Sequence, residues 1–467
     1  MSPHPPLKDL LEQAAETVPP ADVPRDTWQR GRRRHRRSLA LRAAAVVGVV
    51  ALVAATPGLL DRATDRSAPQ PAGSGASGPG LPDHLHAVPE RMSDRDNDGS
   101  WLREEVSDDL AVGRAAAAWV TPSGLPVVVD AVDGRYHLLD LPDFLPSDSL
   151  VAGWFPGDRA PLALSPDGTR LAFGFARPTT DDGTSVPSGI RVVDLVAGEV
   201  TRELYLRGGT GVAVTQVSWS PNGEWLAWAG RQTSYWTTSA LTANTAVAGV
   251  VAPDGARQRL RPPGEATVVD DAGTATVLNG PQLWIHPADG AGVVERSTAV
   301  AEVTSTGALS TAGDRLALGT SARQDLVVLE LQRDEVATRS GAAPDDQTWS
   351  IRPLGWVGES VLVQRTPADG GAGRLTLVPV DGDQPLRDVG TVDGGTDTRA
   401  GIGSLSVATD LVTAQRPTVT RPAPDWPWSE ERWVVTALLG GLTLVLVLAL
   451  AWAVVRRRRS AQRPSAT

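Results

Sequence analysis

Between residues 100 and 416, apolar and polar positions alternate with a period of two in short runs, and corners of Pro, Asp, Asn and Gly separate the runs. That period places successive side chains on opposite faces of an extended chain, so the segment is predicted to be β-strands joined by tight turns. The clearest corner runs Leu164-Ser165-Pro166-Asp167-Gly168-Thr169-Arg170-Leu171-Ala172-Phe173, and it returns as Trp219-Ser220-Pro221-Asn222-Gly223-Glu224-Trp225-Leu226-Ala227-Trp228. Proline presets the first turn dihedral, Asp or Asn followed by Gly supplies the positive-φ corner, and an apolar strand follows. Stretches with a helical period of 3.6 are nearly absent from this region, which excludes a parallel sheet with crossover helices.

Weaker forms of the corner start at Thr121, Asp270, Ser310, Trp356 and near Ser406. With Ser165 and Ser220 they are spaced 44, 55, 50, 40, 46 and about 50 residues apart. Second strands with their own exit turns follow, at Tyr136–Leu141, Ile190–Leu195, Leu326–Leu331 and Leu375–Val380. A repeat of this length made only of strands predicts an all-β fold, a β-propeller of about seven blades. The segment Ser100–Val120 is expected to contribute to ring closure.

Two longer apolar runs flank this region. Ala43–Leu60 follows six arginines between Arg32 and Arg42, and Trp433–Val455 precedes Arg456, Arg457, Arg458 and Arg459. The second run is 23 residues without a charge, enough to cross a hydrocarbon core of about 30 Å as a helix. The first is shorter and holds Pro57, so a cleaved signal, including a twin-arginine signal at Arg36-Arg37, competes with an anchor. The long basic lead before it favours the anchor. With both arginine clusters inside, the two ends are cytosolic and the main domain is extracytoplasmic, at the cell membrane. The expected organisation is a cytosolic head at 1–38, a transmembrane helix at 39–60, a flexible linker at 61–99, the propeller at 100–416, a Pro-rich linker at 417–432, a second transmembrane helix at 433–455 and a basic tail at 456–467.

Charge fits this division. The part between the spans carries 30 basic and 49 acidic side chains, a net of −19, against +9 for the two ends. So acidic a domain argues against a nucleic-acid partner, while the basic ends suit an anionic inner leaflet. Cysteine is absent, so neither disulfides nor a thiolate site are available, and a packed core must hold the fold.

The phrase Ser165-Pro166-Asp167-Gly168 with Leu171-Ala172-Phe173, followed by Val192-Val193-Asp194-Leu195 and Gly198, is similar to the PD40 repeat of TolB-like propellers, relatives of the WD40 repeat. The resemblance implies the propeller fold, over roughly residues 119–416, far more than any activity. The whole plan also resembles, in architecture only, transmembrane regulators such as anti-sigma factors. Leu7, Leu10, Leu11, Ala14, Ala15 and Val18 form one helical stripe in the head, which that resemblance would assign to capture of a cytosolic regulatory factor.

Chemistry-bearing motifs are few. His84, His86, His137 and His286 are the histidines between the spans, the first two in the expected linker. No Gly-x-Ser-x-Gly elbow occurs, and adjacent carboxylates such as Asp270-Asp271 point apart in extended chain. An enzyme is not expected. One metal motif stands out: Asp94, Asp96, Asp98, Gly99 and Glu105 match a calcium loop, with oxygen ligands at positions 1, 3, 5 and 12 and glycine at 6. No cofactor is expected: an acidic linker that reaches this pattern by composition is the favoured reading, and a structural Ca2+ there is the competing one. Trp219, Trp225, Trp228, Trp236 and Trp284 fit blade-core packing, with sugar stacking as the competing reading. The function these features point to is a non-catalytic binding or scaffolding protein of the bacterial cell envelope, docking an exported protein or a cell-wall ligand on the propeller face away from the membrane.

Overall fold

The computed structural model describes residues 78–426 apart from 90–91, 93–105, 122, 146–160, 179–184, 238–240, 265, 298–302, 321–324, 333–334, 341–348, 368–370, 381–384, 395–401, 403 and 425. The chain divides into two compact units, 1–75 and 76–467, and all described residues belong to the second. The head stripe, both apolar spans, the basic tail and the calcium-loop residues Asp94, Asp96, Asp98 and Glu105 lie outside the described residues. Among those described, no helix is long and apolar enough to cross a membrane.

The described strands form six sheets, each of four or five strands. Four sheets are antiparallel meanders of consecutive strands, and a fifth, blade 6, is such a meander with one parallel strand added at its edge. Blade 2 runs Leu162–Leu164, Arg170–Ala176, Ser188–Asp194 and Glu199–Tyr205. Blade 3 spans Gly211–Leu260, blade 4 Ala266–Ser297, blade 5 Val303–Ser340 and blade 6 Trp349–Val392. Blade 1 is assembled from both ends of the domain. Its innermost strand is Ser406–Val407, paired antiparallel with Ala115–Val120, and Pro126–Asp130 and Tyr136–Leu139 complete it.

This closure corrects the expected blade number from seven to six. The corners at Ser165, Ser220, Asp270 and Ser310 and the two-residue turn at Gly358-Glu359 each join the first and second strands of a blade. The corner at Thr121 instead joins the second and third strands of blade 1, whose first strand is the segment near Ser406. Two of the seven phases therefore belong to one blade. Val106–Ser107 adds a parallel strand at the outer edge of the same blade; of the segment expected to contribute to ring closure, it is Ala115–Val120 that does so, by pairing with Ser406–Val407.

The core lies between blades. Ile190, Val192 and Leu204 of blade 2 pack on Val212, Val214 and Trp228 of blade 3, and comparable layers join each following pair. Inner strands are covered on both faces: Ala115–Val120 is buried at all six positions, whereas the outer Glu199–Tyr205 is mostly exposed. Alternation thus belongs to the blade edges, and continuous small apolar runs to the ring interior.

Three of the turn phrases are held by their serine, and the Asp270 phrase by its carboxylate, which accepts from Ala272 N and Thr274 N. Ser165 Oγ accepts from Arg170 N at 2.9 Å and donates to Asp167 Oδ1; Ser220 Oγ does the same with Trp225 N and Asn222 Oδ1; Ser310 Oγ accepts from Arg315 N at 3.1 Å. Gly168, Gly223, Gly273 and Gly313 take the positive φ that the corner requires.

The linker expected at 61–99 is docked in its described part. Leu81, Leu85, Val88 and Met92 are buried in the same core layer as Trp119 and Leu139, and His84–Leu85 runs parallel to Thr391–Val392 at the edge of blade 6. The expected linker after residue 416 is docked too. Pro82 bridges Val419, Asp83 N donates to Val419 O at 2.9 Å, and Arg421 Nη2 donates to Gly78 O at 2.9 Å. Few apolar residues among many Pro and Gly suffice, because each enters a seam that blades 1 and 6 leave open.

Candidate functional site

The first strands of the blades surround an axial cavity of about 170 Å³. Leu164, Trp219, Val269, Leu309, Trp356 and Val407 contribute to its wall, one from each blade. Trp219 and Trp356 are half-buried and fixed by the same device: each indole N–H donates to a carbonyl of the preceding blade, Ala163 O at 3.1 Å and Ala308 O at 2.8 Å. Above them lie guanidinium groups of that preceding blade, Arg170 at 4.8 Å from the Trp219 ring and Arg315 at 5.3 Å from Trp356, a cation–π arrangement. Trp228, Trp236 and Trp284 are buried in the blades. These tryptophans therefore divide, Trp228, Trp236 and Trp284 to the core with Trp119, and Trp219 and Trp356 to the axial cavity, with Trp225 half-buried against Gly273 of blade 4.

Around the cavity mouth, turns interlock from blade to blade. Arg170 Nη2 donates to Gly223 O at 2.8 Å, Asn222 N to Asp271 Oδ1 at 2.7 Å, and Arg315 Nη2 to Glu359 Oε2 at 2.6 Å. Carboxylates here differ in character. Burial raises Asp271, and the adjacent Asp270 adds to the effect. Removal from water, then repulsion by Asp167, raises Asp410. At Asp167 burial acts upward but is outweighed by hydrogen bonds from the Ser165 hydroxyl and from Thr169, with Arg170 nearby, so its carboxyl lies below the usual range. The mouth is thus a rim of fixed acidic and basic groups around a pit that two indoles and four aliphatic side chains wall.

A group whose folded pKa is depressed stabilises the fold above its unfolded pKa, and that contribution disappears as pH falls through the folded value. Asp167→Asn is therefore expected to lower the urea midpoint at pH 7, with the gap to wild type narrowing as pH falls below the ordinary carboxylate range and through the depressed folded value. Asn222 occupies the same place in the next phrase and accepts from Ser220 Oγ and Glu224 N, so the substitution keeps the turn. A gap that stays constant with pH would assign it to geometry alone.

Of the histidines, His286 is buried and lowered by burial, and His137 is half-buried and lowered mainly by burial. His84 and His86 are brought to Asp393, more than 300 residues away, with the imidazole rings stacked at 3.9 Å. Burial, then the facing His84, lowers His86. The backbone N–H of His86 donates to the Tyr136 hydroxyl at 2.8 Å, and burial pushes Tyr136 up to about 12. Trp426 packs edge-on against Tyr136 with ring centres 5.4 Å apart. Asp393 carries no recognisable sequence context, and the two histidines read from the sequence only as linker residues.

No family model and no curated protein matches the chain. Solved propellers align with it at low identity. The β-propeller domain of Cps50 (Swd1) from Myceliophteria thermophila aligns at 19% identity over 51% of this chain and 73% of that one, with a TM-score of 0.32. TolB from Acinetobacter baumannii aligns at 15% over 57% and 64%, with a TM-score of 0.30. A chain of the nidogen/laminin complex aligns at 11% over 63% and 98%, with a TM-score of 0.40. The class of the domain, a six-bladed all-β propeller, stands on its own sheet topology.

Proposed function

We propose that this is a non-catalytic binding or scaffolding protein of the bacterial cell envelope, its propeller held outside the membrane by spans at 43–60 and 433–455. The observation that carries the reading is the course of the two terminal segments, which lie side by side at the seam of blades 1 and 6 through the Pro82–Val419 bridge and the Arg421–Gly78 bond. A tether at each end then holds the ring at one seam and leaves its far side free for an exported protein or a cell-wall ligand. The arginine clusters flanking both apolar runs and the acidic middle support the same topology.

The absence of cysteine makes the test clean. Single cysteines at Val196, which is 60% exposed, and at Ser2 and Ser460 in the two ends report sidedness through a membrane-impermeant maleimide. In intact cells Val196→Cys is expected to label, and Ser2→Cys and Ser460→Cys only after permeabilisation. The reverse pattern would overturn the topology. Crosslinking from Val196 is expected to capture exported material independently of residues 1–38; capture of a transcription factor that requires those residues would replace the scaffold with a signalling regulator.

A further inference from the structure

We propose that His84, His86 and Asp393 form a binding site for one divalent transition-metal ion of the zinc class, which clasps the entering segment of the domain to its last blade. One donor atom from each of the three lies within 4.8 Å of the others. Bonds of about 2.0–2.2 Å from imidazole nitrogen and carboxylate oxygen to a tetrahedral ion place donors about 3.3 Å apart, so the present donors, within 4.8 Å of one another, converge on an ion by rotation of the partly exposed side chains. Two imidazoles and one carboxylate suit zinc and its neighbours, not calcium or magnesium, which prefer an all-oxygen shell. Three protein ligands leave a coordination position to water.

The backbone builds this arrangement. His84 pairs with Thr391 and Leu85 with Val392 in a parallel ladder. In extended chain His84 and His86 share one face while Leu85, fully buried, anchors the other. Asp393 directly follows the paired strand, its N–H donating to Leu85 O at 2.9 Å and its Oδ2 accepting from Ala87 N at 3.2 Å. The carboxylate is thereby aimed at both rings, with Oδ1 at 2.6 Å from His84 Nε2 and Oδ2 at 3.5 Å from His86 Nδ1. A simple imidazole–carboxylate hydrogen bond explains the first contact. It does not explain why a second imidazole is held stacked on the first, beside the other oxygen. Side-chain exposures of 42% for His84, 20% for His86 and 36% for Asp393 leave the site open to an incoming ion. His137 and His286 share in no such group among the described residues.

The test uses the full chain in detergent, stripped with chelator and then equilibrated with zinc in excess calcium, so that the acidic loop at Asp94 does not contribute. Elemental analysis is expected to find one zinc per chain, and zinc is expected to raise the thermal midpoint, because it binds the folded state. His84→Ala/His86→Ala is expected to lose both the equivalent and the thermal shift, and Asp393→Asn to weaken binding by roughly tenfold or more. Circular dichroism checks that the variants fold. Should they not, cobalt in the wild type decides, with the visible bands of a tetrahedral nitrogen–oxygen site expected and only octahedral, water-like bands counting against the proposal. No bound zinc in the wild type, or an equivalent retained by the double histidine variant, would overturn it.

Discussion

Leu405→Asp is expected to open the ring. Leu405 is 1% exposed and directly precedes Ser406–Val407, the strand that closes blade 1. Its neighbourhood is tightly tied: Ser404 Oγ accepts from Val120 N at 3.0 Å, Ala408 N donates to Ala116 O at 3.0 Å, and Ser406 Oγ accepts from Leu164 N of blade 2 at 2.9 Å. A carboxylate placed in that layer loses much of its hydration. Substitutions of this type exceed about 4–5 kcal/mol, against a total stability of about 5–15 kcal/mol for a domain. The expected reading is a cooperative urea transition in the wild type and a broad or absent one in the variant, with rapid proteolysis. Val196→Asp, at an exposed position, serves as control and should shift the midpoint by no more than about 0.5 kcal/mol. A wild-type transition in Leu405→Asp would show that closure by this strand does not hold the ring.

Gly168→Ala is expected to cost far more than Gly223→Ala, although both glycines hold the same place in the same phrase. Both have positive φ, +76° and +71°, so an L side chain costs each about 1–2 kcal/mol in backbone strain. The surroundings separate them. A Cβ on Gly168 would lie 2.0 Å from Ala115 O, a backbone atom of blade 1, with Ala408 Cβ at 3.1 Å. The two blades are also bonded there, Ala115 N to Gly168 O at 2.8 Å. A Cβ on Gly223 meets the end of Arg170 at 3.1 Å and the Pro166 ring at 3.2 Å, groups that can give by tenths of an ångström. Denaturant midpoints of the two variants check this, and equal losses would mean that only the turn conformation matters.

How far each feature could be read from the chain depends on the range of the interaction behind it. The turns at Ser165, Ser220 and Ser310 were legible because their bonds join a serine to residues at most five positions on. Blade number was not, since Thr121 and Ser406 look like separate phases until Ser406 pairs with Ala118 across 288 residues. Composition misled at 78–92, where Pro and Gly hide four side chains that enter the core. His84 and His86 read only as linker residues, and their third member was not legible, because Asp393 approaches only when two strand edges lie in parallel register.

By itself the sequence determined the all-β class, the turn chemistry and the arginine-flanked apolar runs, because period, turn residues and charge act within a few positions of one another. The tertiary structure alone decided that the ring has six blades, that the terminal segments share one seam, that Trp219 and Trp356 face the axis, and that two imidazoles meet a carboxylate. Each of these depends on contacts between distant strands, which no local pattern encodes.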